Sequence, residues 1–247
     1  MTELLPVAPH ALAIAFAVTV IASAIQGTIG FGFAIASVPI LSLVDPHLAP
    51  VPQLLVVLPL SLVVLYRERK DVDLKGIGWV LVGRIPGAAI GLLLLKLASP
   101  VILDFLIAGM VMVAVVIIAS GASIRRNKGT ELGAGVLSGA FAMVSSIGGP
   151  PIALLYREAK GATIRSSLAV IFCVGLTITI TTRAVAREMA VSDLIIGAIL
   201  IPGMFLGFYI SRHLTGIAEG KPLRVGILVV AGLSAIALVI RAVSSLG

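Results

Sequence analysis

Cysteine is almost missing from this chain: Cys173 is the single one in 247 residues. That excludes a disulfide framework within the chain and a cysteine-rich metal site. The three histidines, His10, His47 and His213, lie far apart in sequence, so no metal cluster is expected. Charge is also scarce. Only 12% of residues are charged, against about 25% in a typical soluble domain. Too few polar groups exist to cover a globular surface in water. Disorder is excluded as well, because it requires low hydrophobicity. There is no Gly-x-x-x-x-Gly-Lys-Ser/Thr phosphate loop, no His-Glu-x-x-His helix and no Gly-x-Ser-x-Gly elbow. Nucleotide hydrolysis within the chain, zinc proteolysis and nucleophile-elbow hydrolysis therefore have no motif, and no cofactor is implied. Carboxylates do not stand deep in the apolar segments, so neither a proton relay nor a sodium site is evident.

Apolar residues dominate instead, at 59% of the chain with a mean hydropathy of +1.18. The class is an all-α polytopic membrane protein. The net charge of +7 points to loop charges and anionic lipid headgroups as partners, with no nucleic acid. Residues 1–10 carry no Lys or Arg. A signal peptide needs a positive start, so the first apolar stretch is expected to be retained.

Residues 4–44 contain no formally charged side chain. That run is too long for one spanning helix of about 20 residues. Three glycines within Gln26-Gly27-Thr28-Ile29-Gly30-Phe31-Gly32-Phe33 offer a break. The expected unit is a broken hairpin over 11–44, helical to about Gln26 and again to Leu43. Helices over 51–66, 76–97 and 101–123 complete a first repeat, 1–123. A linker, 124–131, follows. The second repeat, 132–247, reads as a hairpin over 132–156, broken at Ser145-Ser146-Ile147-Gly148-Gly149-Pro150-Pro151, then helices over 163–182, 191–211 and 222–240.

Two matches relate the halves. Thr28-Ile29-Gly30 aligns with Ser146-Ile147-Gly148 at an offset of 118, and Ile85-Pro86-Gly87 with Ile201-Pro202-Gly203 at 116. An internal duplication follows. Lys and Arg count thirteen in loops 67–75, 124–131, 157–165 and 212–224, and four at the other ends. The positive-inside rule predicts those loops to be cytoplasmic and both termini periplasmic. Arg183 and Arg187 fit that assignment least well. Each half then crosses an odd number of times, which inverts the second copy and brings both breaks toward the bilayer midplane.

The breaks are the first candidate binding site. Backbone leaves the helical pattern inside a membrane only where it is buried in protein or lines a cavity. Helices restarting after Gly30 or Gly32, and at Pro150-Pro151, would aim positive N-termini at the centre, as an anion site requires. The candidate residues are Gln26, Gly27, Thr28, Gly30, Phe31, Gly32, Phe33, Ser145, Ser146, Gly148, Gly149, Pro150 and Pro151. The competing reading is tight crossing by small residues. Arg84 is the second candidate. It lies nine residues past Lys75, roughly 13 Å along a helix, and shares a small-residue face with Gly87, Ala88 and Gly91. A buried guanidinium suits an oxyanion. The competing reading is an arginine snorkelling to the interface. Asp104, Asp193 and Arg183 are expected to be structural.

The motifs Gln26-Gly27-Thr28-Ile29-Gly30-Phe31-Gly32 followed by Pro39, Ser146-Ile147-Gly148-Gly149-Pro150-Pro151, and the Pro-Gly-xxx-Gly helices at Pro86 and Pro202 resemble the TauE/SafE sulfite exporter family along nearly the whole chain. The resemblance implies a permease of the bacterial inner membrane with about eight helices. It implies export of a small anionic solute, sulfite or an organosulfonate such as sulfoacetate. A thiosulfate-uptake branch uses cysteines along its path, and the isolated Cys173 argues against that chemistry. Alternatives are a channel-like anion facilitator, or a membrane scaffold without transport of its own. The sequence leaves the oligomeric state open.

Overall fold

The computed structural model describes residues 6–156, 158–159, 161–214 and 221–244. Expectations resting on Arg157, Lys160, loop residues 215–220, and residues 1–5 and 245–247 at the termini lie outside the described residues. Among the described residues the chain is helical, without strands. The helices are α1 (Pro9–Ile29), α2 (Phe33–Val44), α3 (Val51–Glu68), α4 (Ile77–Leu97), α5 (Pro100–Ser120), α6 (Lys128–Ser145), α7 (Gly149–Ala153), α8 (Gly161–Val185), α9 (Val191–Leu214) and α10 (Lys221–Ser244). Short 3-10 turns at Pro46–Leu48 and Arg69–Asp71 flank α3. Among the described residues, six helices, α1, α3, α4, α5, α8 and α9, are long and apolar enough to cross a membrane. Their outer faces expose large apolar side chains such as Leu93, Val116 and Phe205, which suits lipid contact.

Local chemistry explains where the helices begin and end. Ser99 caps α5 through its side chain, and Pro100 follows at the first helical position. Asn127 and Thr130 form a reciprocal capping box, so α6 begins at Lys128, inside the stretch expected to be a linker. The first helix also overruns its expected end. It continues through Gln26, Gly27 and Thr28 to Ile29. The cost of a helical glycine, about 1 kcal/mol, is offset by packing. A Cβ on Gly27 would stand 2.3 Å from Ser211 Oγ of α9, so only glycine permits that approach.

The most extensive packing joins α4 to α6 and α1 to α9, followed by α3 with α8 and α5 with α10. At the α4/α6 crossing the backbones nearly touch. A Cβ on Gly87 would lie 2.2 Å from the Val136 carbonyl oxygen, and one on Gly139 would lie 2.6 Å from that of Arg84. The helices α3 and α8 run antiparallel, because Arg165 at the start of α8 pairs with Glu68 at the end of α3 at 2.8 Å. Arg241 of α10 pairs with Asp104 of α5 at 2.7 Å.

Charged connections gather at one end of the bundle. Arg126 donates to Asp73 at 2.5 Å and to Tyr156 Oη at 3.4 Å. It also binds the Lys75 carbonyl. Partial burial pushes the Asp73 carboxyl up, but hydrogen bonds from Arg126 and the Lys75 amide outweigh it and hold that carboxyl below the usual range.

Candidate functional site

The two breaks share a left-handed helix cap two positions before the next helix's N-cap, but that N-cap is left-handed at Gly32, with φ of 107°, and right-handed at Gly148, with φ of -84°. The α1 helix ends at Gly30, in the left-handed region with φ of 96°, and α2 restarts after Gly32. The α6 helix ends at Ser146, with φ of 62°, and α7 restarts after Gly148. Gly30 therefore matches Ser146 and Gly32 matches Gly148, both separated by 116 positions. The caps are thus 116 positions apart, as Pro86 and Pro202 are, where the letter match of Thr28-Ile29-Gly30 with Ser146-Ile147-Gly148 has 118. Positive φ costs little for glycine and more for serine. At Ser146 the side chain compensates by donating to the Pro50 carbonyl at 2.9 Å.

Residues of both breaks wall one cavity. Gln26, Gly32, Ser146, Gly148, Gly149, Pro150 and Arg84 line it, together with apolar side chains such as Ile35, Val57 and Phe172. The breaks touch where a Cβ on Gly149 would lie 3.1 Å from Phe31 Cβ. Several expected site residues face elsewhere. The Thr28 hydroxyl donates to the Ala24 carbonyl at 2.7 Å, and Ser145 donates to Phe141 at 2.8 Å. In a dry helix a hydroxyl satisfies itself on the preceding turn, so neither is spare for a ligand. Phe33 is packed in the core, and Pro151 is buried but does not line the cavity. Gly27 and Gly30 shape helix contacts instead, against Ser211 and Arg165.

The opposed-dipole picture also changes. The α2 helix has twelve residues, but α7 has five, a single turn. A macrodipole needs several aligned peptides. Pro150 and Pro151 further remove two N–H donors from that end. The cationic contribution to the cavity comes mainly from Arg84.

Arg84 is 1% exposed. Its Nη1 donates to Ser138 Oγ at 2.8 Å, and Ser138 donates onward to the Gly148 carbonyl at 2.6 Å. Among the described residues its buried Nε and Nη2 have no hydrogen-bond partner, and none of those that line the cavity is acidic. Such a charge is costly to bury unless something compensates it. The α4/α6 crossing and α8 hold it in place. A Cβ on Gly175 would lie 2.1 Å from Arg84 Nε. Sequence reading missed Ser138 and Gly175, both of which touch the guanidinium. No local signal marks them, since each is one small residue among many in an apolar helix. Arg183, expected to be structural, is also buried, and donates to the Met143 carbonyl from Nε at 3.1 Å.

Comparison with known proteins gives one positive finding. The family described as Sulfite exporter TauE/SafE matches residues 15–238. No curated protein matches the chain, and no solved structure does. The matched stretch includes both breaks, Arg84 and all but the ends of the helical array. The chain belongs to the TauE/SafE sulfite exporter family, a family of multi-pass membrane transporters.

Proposed function

We propose that this protein is a secondary transporter that carries a small anion, sulfite or an organosulfonate such as sulfoacetate, out of the cell by alternating access. The observation that carries this reading is Arg84. Among the described residues this buried guanidinium has two unpartnered nitrogens and no carboxylate in its cavity to act as a negative partner. An oxyanion with two oxygens can supply the acceptors those nitrogens need. Gln26 and the backbone beside Gly32 and Gly148 add neutral polar groups to the same cavity.

The alternating-access part is supported by the packing. The α1 helix packs on α9, and α6 on α4. If the two halves correspond at 116 positions, these are the same pairing with the halves exchanged. An inverted repeat has this property. The proposed orientation puts loops 67–75, 124–131, 157–165 and 212–224 in the cytoplasm, where contacts such as Arg126–Asp73 already draw two of them together. Both termini are then periplasmic.

Counterflow in proteoliposomes tests the reading. Vesicles loaded with sulfite or sulfoacetate should accumulate labelled solute from outside. Arg84→Ala should reduce the rate at least about tenfold, the scale of a lost charge-assisted contact, while the variant still elutes as folded protein. Uptake that survives this substitution would remove Arg84 from the site. No uptake of any tested anion by the parent would remove the anion-transport reading.

A further inference from the structure

Two arginines outside the cavity make the same contact from opposite ends of the bundle. In α1 the carbonyl three positions before the left-handed cap Gly30 is that of Gly27, and it accepts from Arg67 Nη2 at 2.5 Å. In α6 the carbonyl three positions before the cap Ser146 is that of Met143, and it accepts from Arg183 Nε at 3.1 Å and also from Nη2. Arg67 stands in the last turn of α3 and Arg183 in the last turn of α8. Because α3 and α8 are antiparallel, the two contacts lie at opposite ends. Arg67 and Arg183 are separated by 116 positions, the spacing that relates the caps themselves.

The chemistry of the contact is that of a helix C-terminus. Last-turn carbonyls have no partner within the helix and carry the negative end of the dipole. A guanidinium donating to them in a low-dielectric setting forms a strong, charge-assisted bond. Each bond joins one break, and hence one wall of the cavity, to the end of a long helix. The first is reinforced by Arg67 to Ser211 at 3.1 Å and by Arg165 to the Thr28 carbonyl at 3.1 Å. The second is extended by Arg183 to the Glu188 carbonyl at 3.4 Å.

We infer that Arg67 and Arg183 are the two latches of the cavity, one closing it toward loop 67–75 and the other toward the opposite end. Releasing Arg67 frees the end of α1 and opens the cavity on the side of loop 67–75. Releasing Arg183 frees the end of α6 and opens it on the other side. The inference rests on the alternating-access reading above and assigns it moving parts.

Directional labelling tests it without any solute. With Cys173→Ser as background, Ala34→Cys places a thiol on the cavity wall. Right-side-out and inside-out vesicles then receive an impermeant maleimide. Arg67→Gln should raise labelling about tenfold from the side bearing loop 67–75 and leave the other side unchanged. Arg183→Gln should do the reverse. Helix caps without a gating role would lower thermal stability and leave labelling equal on both sides. If the glutamine variants fail to assemble, Arg67→Lys and Arg183→Lys retain charge with poorer geometry, and should shift labelling in the same directions by less. Shifts on the same side for both arginines, or none in any assembled variant, overturn the latches. Directional shifts without counterflow in the parent keep the latches and remove anion transport. Counterflow in the parent without directional shifts keeps transport and removes the latches.

Discussion

The first and second breaks share a left-handed helix cap but differ in the rest of their backbone and in their chemistry. The first turns on two glycines with positive φ, Gly30 and Gly32, and restarts a twelve-residue helix. The second turns on a serine, Ser146, and restarts a single turn begun by prolines. Gly30 has no room for a side chain, since a Cβ there would lie 2.8 Å from Arg165 Cα. At Ser146 the side chain is tolerated and hydrogen-bonded. The second break also holds Arg84 through Ser138, while the first is held by Arg67 and Arg165. A left-handed helix cap that occurs twice can therefore serve different tasks: one break is set by close packing, the other is joined to the buried charge.

The largest test of that contrast is Gly30→Ala. It adds strain at positive φ and a clash with backbone that cannot move cheaply. We expect a loss of about 2 kcal/mol or more, read as reduced yield and a lowered Tm in detergent. Gly175→Ala comes next. Its methyl would lie 2.3 Å from Arg84 Cζ and should displace the guanidinium while leaving the helices assembled. The expected result is a Tm close to the parent's without solute, and about tenfold weaker solute-dependent stabilisation. An unchanged solute response would separate Gly175 from the site.

Smaller effects distinguish the caps. Ser146→Ala should cost about 1 kcal/mol by losing the bond to Pro50. Ser146→Gly loses the same bond but relieves the positive φ, and should come out near zero. Equal losses from both substitutions would mean that φ at this cap carries no strain. The smallest effect concerns Asp73. Its carboxyl is held below the usual range in the folded protein, so the stabilisation is present above the unfolded value and lost as pH falls through the folded one. Acidification should loosen the 124–131 connection, measured as increased proteolysis there, and Asp73→Asn should already be loosened at neutral pH.

Composition alone was enough to identify helices in a membrane, because a chain with so few charges cannot face water. Clustered glycine and proline located both breaks, because their backbone costs are local. Arg84 stood out because an isolated charge in an apolar run is expensive wherever it sits. Other features depended on distant partners. Thr28 and Ser145 looked like free donors, and became internally bonded once their helices continued past them. The break register shifted by two residues because helical caps, not letter matches, set where the chain turns.

The sequence by itself determined the membrane class and the two interruptions, and it singled out Arg84 as a cation within an apolar run. Tertiary structure decided that Ser138 and Gly175 hold that cation, that α7 stops after one turn, and that Arg67 and Arg183 reach Gly27 and Met143. Each of those partners is separated by forty or more positions, as in Arg67–Gly27 and Arg183–Met143, or belongs to another helix. Hydropathy and backbone propensity act within a turn or two of chain. Hydrogen-bond partners are chosen by which helices cross, and that is known only once the whole bundle has packed.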